Sequence, residues 1–230
     1  MIQITNVKVY GLDESVIASG YPMRTDLPNM MWICDQPLSM CSKEEKEKHT
    51  KRARYLASAD IGEGHDNFLN GIIVQFDLTA PIKVWTEAQR YHFLDFVSSQ
   101  STMHRLAKMN LAADATYDEH VDVYTKTHMA HLKDVYNGYA NEASRIKQEK
   151  GSDSEEYEDA MKAVRDAWFT LIMCCPVGLL LTARMTTNYR QLKTIYHQRK
   201  NHRLPHWHQI CEWIERLPLS EMLGVSKSEG

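Results

Sequence analysis

The segment that ends at Pro81 constrains the fold most strongly, because it reads as a strand in a chain whose other long patterns are helical. Apolar and polar side chains alternate through VQFDLT, residues 74–79, which is typical of a strand that buries one face. Pro81 closes the strand, since proline cannot donate a ladder hydrogen bond. The N-terminal run IQITNVKVYGL alternates in the same way up to Gly11. Together the two segments predict a small sheet.

Helical periodicity dominates the rest of the chain. Serine followed three residues later by glutamate forms a capping box, and this pattern occurs at Ser42 and at Ser152. A short apolar segment at 178–185 precedes the last two helices. The predicted helices cover 42–59, 86–113, 117–150, 152–175, 189–199 and 207–216. Because no repeat or linker interrupts the pattern, we predict one α+β domain over 1–230, with long helices packed around a small mixed or antiparallel sheet.

Composition and charge exclude several functional classes. Hydrophobic residues make up 43% of the 230 residues and charged residues 25%, which is ordinary for a globular domain. The formal net charge of −3 argues against a general binder of nucleic acid or membranes, because such proteins usually carry a basic excess. Any basic binding site must therefore be local.

The run WFTLIMCCPVGLLLTA is the longest apolar segment. Pro176 and Gly178 interrupt it, and it is shorter than the roughly 20 residues that a membrane span needs. We therefore expect buried core here, including the adjacent Cys174 and Cys175. The five cysteines form no C-x-x-C pair, and their odd number favours a reducing, cytoplasmic environment without structural disulfides.

Two patterns could bind a ligand. The first is on the predicted helix 86–113, where Ser98, Ser101 and Arg105 fall at i, i+3 and i+7 and so share a stripe. Hydroxyl and guanidinium groups in one stripe could bind an anion or a polar ring. A solvated helix surface would show the same spacing, because serine is common on surfaces. Three apolar residues on another face are expected to pack: Phe96, Met103 and Leu106.

The second pattern is a cluster of positive charge between residues 186 and 208. A phosphorylated ligand would explain the cluster, and a solvated basic face is the alternative. In a continuous helix Arg190 and Arg199, nine residues apart, point to opposite sides at about 100° per residue. One helix would then serve two ligands or two subunits. The cluster comprises Arg190, Lys193, His197, Arg199, Lys200 and Arg203.

Common motifs of metal sites and enzymes are missing from the sequence. The histidine pairs His128/His131 and His206/His208 have no third ligand at metal-site spacing, so we expect no metal. The glycine-rich signatures of dinucleotide-binding proteins, nucleoside triphosphatases and serine hydrolases are also missing.

The stretch GHDNFLNGIIVQFDLTAP resembles the flavin-dependent thymidylate synthase family, whose run G-H-E-S-P-F-E-H is followed by F-T-F-H-V-K-A-P. The resemblance implies that His65 and Asn67 bind FAD. In the C-terminal part, NYRQL resembles the family's N-A-R-S-L, which is followed by an arginine nine residues after the first. This second match implies flavin contacts for Asn188 and Arg190, and contact with dUMP for Arg199. The identical positions of the first match are Gly64, His65, Phe76, Ala80 and Pro81.

The family's hallmark R-H-R-x-x-S-x-N-x-x-S-x-R is matched in part. SSQSTMHR resembles its end, although Met103 stands at the second serine, and QRYHF resembles its start if about three residues are inserted. Ile172 replaces a further family arginine. The resemblance implies flavin contacts for Arg90 and His92. It implies substrate contacts for Ser98, Gln100, Ser101 and Arg105.

The resemblance also implies an activity. It is the methylation of dUMP to dTMP with FAD as cofactor and with NADPH and methylenetetrahydrofolate as co-substrates, in a homotetramer whose active sites lie between subunits. Arg105 and Arg199 would be catalytic, stabilising negative charge on the uracil carbonyl groups. Two alternatives are a flavin-dependent pyrimidine-nucleotide hydroxymethylase and a non-catalytic protein that binds nucleotide or flavin.

Overall fold

The computed structural model describes residues 2–25, 38–60 and 62–225. Its four strands form one antiparallel sheet in the order β1-β2-β4-β3. The strands are β1 (Gln3–Tyr10), β2 (Ile73–Pro81), β3 (Asp95–Ser99) and β4 (Leu180–Asn188). The helices are α1 (Leu12–Ala18), α2 (Lys43–Ala57), α3 (Ile82–Ala88), α4 (Thr102–Arg105), α5 (Val123–Lys150), α6 (Glu155–Met173), α7 (Tyr189–Arg199) and α8 (Pro205–Glu215). The predicted α+β class, helix-rich with a small sheet, is confirmed.

Strand β2 is present where the sequence alternation predicted it, and its burial alternates as expected. Val74, Phe76 and Leu78 are buried, and the residues between them are half-buried. The Phe76 ring packs on Trp213 of α8, with the ring centroids 4.5 Å apart. This face of the strand therefore belongs to the core.

Polar contacts set the register of β1, β2 and β4. Asn6 in β1 has a positive φ of 49°, which asparagine tolerates better than most residues. Its side-chain amide donates a hydrogen bond to Asp77 Oδ2 over 2.5 Å. The Arg184 guanidinium donates to the Asn6 carbonyl oxygen over 2.8 Å and to Asp77 Oδ1 over 3.1 Å. A one-residue slip of either neighbouring strand would break these contacts.

The chain forms two compact units. The first comprises residues 79–87 and 99–183, and the second comprises 2–78, 88–98 and 184 onward. Residues of β2, β3 and β4 occur in both units. The single domain over 1–230 stays a prediction.

In the first unit, the long helices α5 and α6 pack on each other. Helix α5 begins six residues later than predicted, because Asp122 accepts hydrogen bonds from the amides of Tyr124 and Thr125 and so caps it. The capping box predicted at Ser152 is wrong. Ser154 caps α6 instead, accepting from the Tyr157 amide over 3.2 Å. The core of the unit contains Leu106, Leu111, Tyr117, Met129, Leu171 and Leu179.

The helix predicted over 86–113 is also wrong. Helix α3 ends at Ala88, and residues 95–99 form β3. Between β3 and residue 113, only the four residues 102–105 of α4 are α-helical. Beyond the strand, the Gln100 amide donates to the Thr182 carbonyl oxygen over 3.0 Å and its side-chain oxygen accepts from the Thr182 amide over 3.2 Å. Pairing with β4 thus outweighs local helical periodicity. Of the three residues expected to pack, Leu106 is buried, whereas Phe96 and Met103 are exposed.

The apolar run near residue 174 is only partly buried. Leu171 and Leu179 are buried, but Phe169, Met173 and Val177 are exposed, since α6 is amphipathic and buries one face. The prediction that both adjacent cysteines are buried is wrong for Cys174, which is exposed, while Cys175 is half-buried. The cysteines of the described residues are free, and Cys34 lies outside those residues.

In the second unit, three predicted helices are confirmed. The Ser42 capping box of α2 is present, with the Glu45 amide donating to Ser42 Oγ and Glu45 accepting from the Ser42 amide. Helix α7 has the predicted bounds 189–199, and α8 covers 205–215. None of the helices in the described part of the chain is both long and apolar enough to span a membrane.

Candidate functional site

A cleft of about 500 Å³ opens in the second unit between α7 and the segment that precedes β3. Three of its lining residues are among those implied by the resemblance: Arg90, His92 and Arg199. Four others were not predicted: Tyr91, Gln191, Thr194 and Gln198. The structure therefore brings together two residues assigned to flavin and one assigned to dUMP.

Arg199 is held in a defined orientation at this cleft. Its Nε atom donates a hydrogen bond to the Tyr91 hydroxyl over 2.7 Å. Its guanidinium carbon lies 4.4 Å from the centre of the Trp207 ring and 5.4 Å from that of Tyr91, within the range of cation–π attraction. His202 Nε2 lies 2.7 Å from Nη1 of the same group. Because these contacts orient the Arg199 side chain, little conformational entropy is lost when it binds a ligand.

Helix α7 positions these groups for local reasons. Asn188, the last residue of β4, caps the helix by accepting a hydrogen bond from the Gln191 amide over 2.8 Å. One side of the helix is buried, through Tyr189, Leu192, Ile195 and Tyr196 among others. Gln191, Thr194 and Gln198 fall at i, i+3 and i+7 and line the cleft. This neutral polar stripe is the sequence signal by which these cleft residues could have been found.

A buried ionic cluster lies at the N-terminal end of α7. Asp66 and Lys193 are 1% and 3% exposed, and Lys193 Nζ is 2.9 Å from Asp66 Oδ2. The ammonium group also donates to the carbonyl oxygen of Ala59 over 2.7 Å. Arg190 Nε lies 3.2 Å from Asp66 Oδ1, an ion-pair distance without hydrogen-bond alignment. A solvated basic face, the alternative considered for this segment, does not describe Lys193.

The two arginines of α7 contact different groups, as the nine-residue spacing predicts. Arg190 pairs with Asp66, whereas Arg199 contacts Tyr91 and lines the cleft. Asn188, assigned to flavin with Arg190, is buried and its side-chain oxygen caps the helix. Its flavin contact stays a prediction.

His65 and Asn67 lie in the loop between α2 and β2. His65 is exposed and lines a second cavity of about 280 Å³ near the end of α2. The other lining residues are Tyr55, Leu56, Ser58, Ala59 and Glu63. Gly64 adopts a φ of +82°, which favours glycine over residues with a Cβ atom. Asn67 is exposed and begins a short 3-10 helix, Asn67–Gly71. The loop is thus placed as expected, at the entrance to a strand.

The remaining site residues belong to β3 and the segment after it. Ser98 is exposed in β3, and Gln100 pairs with β4 through Thr182. Ser101 precedes the first residue of α4, and Arg105 is its exposed last residue. They do not form the predicted helical stripe, because residues 95–99 are extended. Their substrate contacts stay predictions.

The groups at the cleft suit an anionic ligand that has a polar ring. Arginine binds phosphate through parallel hydrogen bonds, and Arg90 and Arg199 supply two guanidinium groups. Glutamine side chains both donate and accept, so Gln191 and Gln198 can contact the edge of a pyrimidine. The donor set therefore fits dUMP or the phosphates of FAD. Among the described residues, no group of three histidine, cysteine, aspartate or glutamate side chains could hold a metal ion.

No protein-family model matches the chain, and no curated protein matches its sequence. Solved structures do match its fold. A crystal structure of thymidylate synthase X from Helicobacter pylori with FAD and dUMP has a TM-score of 0.59 at 10% identity, covering 96% of each chain. A second structure of the flavin-dependent enzyme from Helicobacter pylori, complexed with FAD and dUMP, has a TM-score of 0.54 at 11% identity, covering 93% of this chain and 94% of the other. At these identities the likeness shows the fold, and the fold of this chain is that of the flavin-dependent thymidylate synthases.

Proposed function

We propose that this protein binds FAD and dUMP and methylates dUMP to dTMP, with methylenetetrahydrofolate as the carbon donor and NADPH as the reductant. The observation that carries the proposal is the cleft at α7, where Arg199 is fixed by Tyr91 and Trp207. The shared fold supports it, because the two matching structures were solved with FAD and dUMP.

In this proposal Arg199 binds and polarises the nucleotide. A guanidinium that is already oriented can stabilise negative charge on a phosphate or on a uracil carbonyl group without reorganising during the reaction. Gln191, Thr194 and Gln198 would orient the base or the sugar from the same side of α7. Arg105 would be the second arginine on the nucleotide, as the resemblance implies.

FAD would be held by the groups that the resemblance assigns to it: His65, Asn67, Arg90, His92, Asn188 and Arg190. When bound, FAD would supply the hydride chemistry that amino-acid side chains cannot provide. The protein's own contribution is to bind, orient and polarise the nucleotide, so no cysteine nucleophile is needed.

We also propose that the protein is a homotetramer. Two exposed aromatic side chains on α5 support self-association, since Tyr124 and Tyr139 are 83% and 47% exposed, and tyrosine is enriched at protein–protein interfaces. Light scattering at micromolar concentration is expected to give the mass of four chains. A monomer over that range would contradict the proposal.

The activity is tested by incubating the purified protein with FAD, dUMP, methylenetetrahydrofolate and NADPH and identifying the nucleotide product by mass. A methylated product supports the proposal, and a hydroxymethylated product supports the alternative nucleotide chemistry. Binding of FAD and dUMP without any product would identify a non-catalytic binding protein. Arg199→Ala is the matched negative variant. Arg203→Ala, which removes an exposed arginine four residues later, is the control.

A further inference from the structure

The Asp66–Lys193 pair connects three separate segments of the second unit. Lys193 lies on α7, Asp66 lies in the loop 62–71 (the His65 loop), and Ala59 follows the end of α2. The lysine ammonium donates to both of the other segments, over 2.7 Å to the Ala59 carbonyl oxygen and 2.9 Å to Asp66 Oδ2. One buried group therefore fixes the distance between α7 and the His65 loop.

Asp66 has a second oxygen that the lysine does not use. Oδ1 is buried and has no hydrogen-bond partner, although Arg190 Nε lies 3.2 Å away. A buried acceptor without a donor is costly, so a small rotation of Arg190 into alignment would be favourable. The side chain of Arg190 is 33% exposed, so its terminal guanidinium nitrogens can reach a ligand while Nε stays beside Asp66.

The charges of the cluster do not cancel. A single carboxylate faces an ammonium and a guanidinium, which leaves one formal positive charge. Arg190 thus lies near the Asp66 carboxylate, whose charge Lys193 already neutralises. The positive charge of the Arg190 guanidinium therefore remains available to an anionic ligand. Asp66 also lies directly between His65 and Asn67 in the chain.

We propose that Asp66 and Lys193 are positioning residues, which hold Arg190 and the His65 loop in the arrangement that binds FAD. The proposal rests on the flavin-binding function proposed above. It adds two buried residues that do not touch the ligand themselves but position the residues that do. Arg199 has other contacts, to Tyr91, His202 and Trp207, so binding of dUMP is expected to depend little on the pair.

Two variants separate positioning from simple stabilisation. Asp66→Asn keeps the shape of the side chain and removes its charge. The double variant Asp66→Leu/Lys193→Met replaces the pair by apolar side chains of similar shape, an exchange that often preserves or raises stability. The matched control is Asp114→Asn/Lys126→Met in the first unit, which removes an exposed ion pair with an N–O distance of 2.8 Å.

Titration calorimetry with FAD and with dUMP provides the main measurement. In the folded double variant we expect FAD to bind about 10- to 150-fold more weakly, the range for losing one well-placed charged hydrogen bond. Affinity for dUMP should change less than about twofold. If the pair were only a stabiliser, the double variant would bind FAD like wild type once its stability is restored, and that result would overturn the proposal.

Hydrogen exchange distinguishes failure of this proposal from failure of the proposed function. In the double variant, amides of the His65 loop are expected to exchange faster, while those of α5 and α6 keep their protection. If wild-type protein binds no FAD, the flavin function is wrong, and the loop amides alone decide whether the pair positions the loop. Unchanged exchange in the loop, or faster exchange spread over both units, would refute the positioning role.

Discussion

Replacing Arg199 with alanine tests the cleft directly. The guanidinium is fixed by a 2.7 Å hydrogen bond to Tyr91 and by the Trp207 ring at 4.4 Å, so it should make a well-directed contact with an anionic ligand. Hydrogen bonds to charged groups contribute about 1.5 to 3 kcal/mol. Each 1.4 kcal/mol corresponds to a tenfold change in affinity, so dUMP binding should weaken about 10- to 150-fold.

The fold should survive this replacement. The stacking of Arg199 on the two rings contributes about 0.5 to 2 kcal/mol of stability, a fraction of the 5 to 15 kcal/mol that is usual for a domain. Circular dichroism and a urea titration would establish that the variant is folded before binding is measured. Arg199→Lys keeps the charge without the planar fork and should restore only part of the affinity.

Calorimetric titration of dUMP into wild type, Arg199→Ala and Arg199→Lys is the assay, with Arg203→Ala as the charge-matched control. Loss of affinity confined to the Arg199 variants would support a direct contact. Unchanged dUMP affinity in folded Arg199→Ala would refute the assignment. Equal losses in Arg199→Ala and Arg203→Ala would show that only the general positive field of this region matters.

Three further outcomes follow from the structure. Asp66→Asn leaves the buried ammonium of α7 without its counter-ion and should lower the free energy of unfolding by about 3 to 5 kcal/mol, measured as a lower urea midpoint than that of the exposed-pair control. Gly224→Ala should cost about 1 to 2 kcal/mol in a thermal melt, because φ is +80° and a Cβ atom would lie 2.6 Å from His197 Nε2; an unchanged melting temperature would contradict this. Burial raises the pKa of Cys175 and Cys211 from 9.0 to about 11, so each folded thiol keeps its proton to higher pH than the unfolded one. The stability that the two protonated thiols contribute to the folded state is complete below pH 9.0 and is lost as pH rises to about 11. Wild-type urea midpoints that stay constant across this window would disprove the assignment. So would a Cys175→Ser/Cys211→Ser variant whose urea midpoint falls as much as that of wild type.

Local sequence was sufficient for elements whose signals lie within a few residues. The two-residue alternation predicts β2, the Ser42 capping box predicts α2, and the bounds of α7 follow from its own residues because Asn188 caps it. Short motifs were also enough to propose binding residues on two segments that are far apart in the sequence. Arg90 and Arg199 line the same cleft in the structure.

The tertiary structure decided what depends on distant partners. Residues 95–99 read as helix from their periodicity, yet they are a strand because β4, some 80 residues later, pairs beside them. Lys193 looks like one more charge on a basic helix, but it is buried because Asp66, 127 residues earlier, reaches its ammonium group. Hydrophobic period and capping act within one or two turns of chain and can be read from sequence. Strand pairing and buried ion pairs join residues far apart in the chain, so only the folded arrangement shows which partners meet.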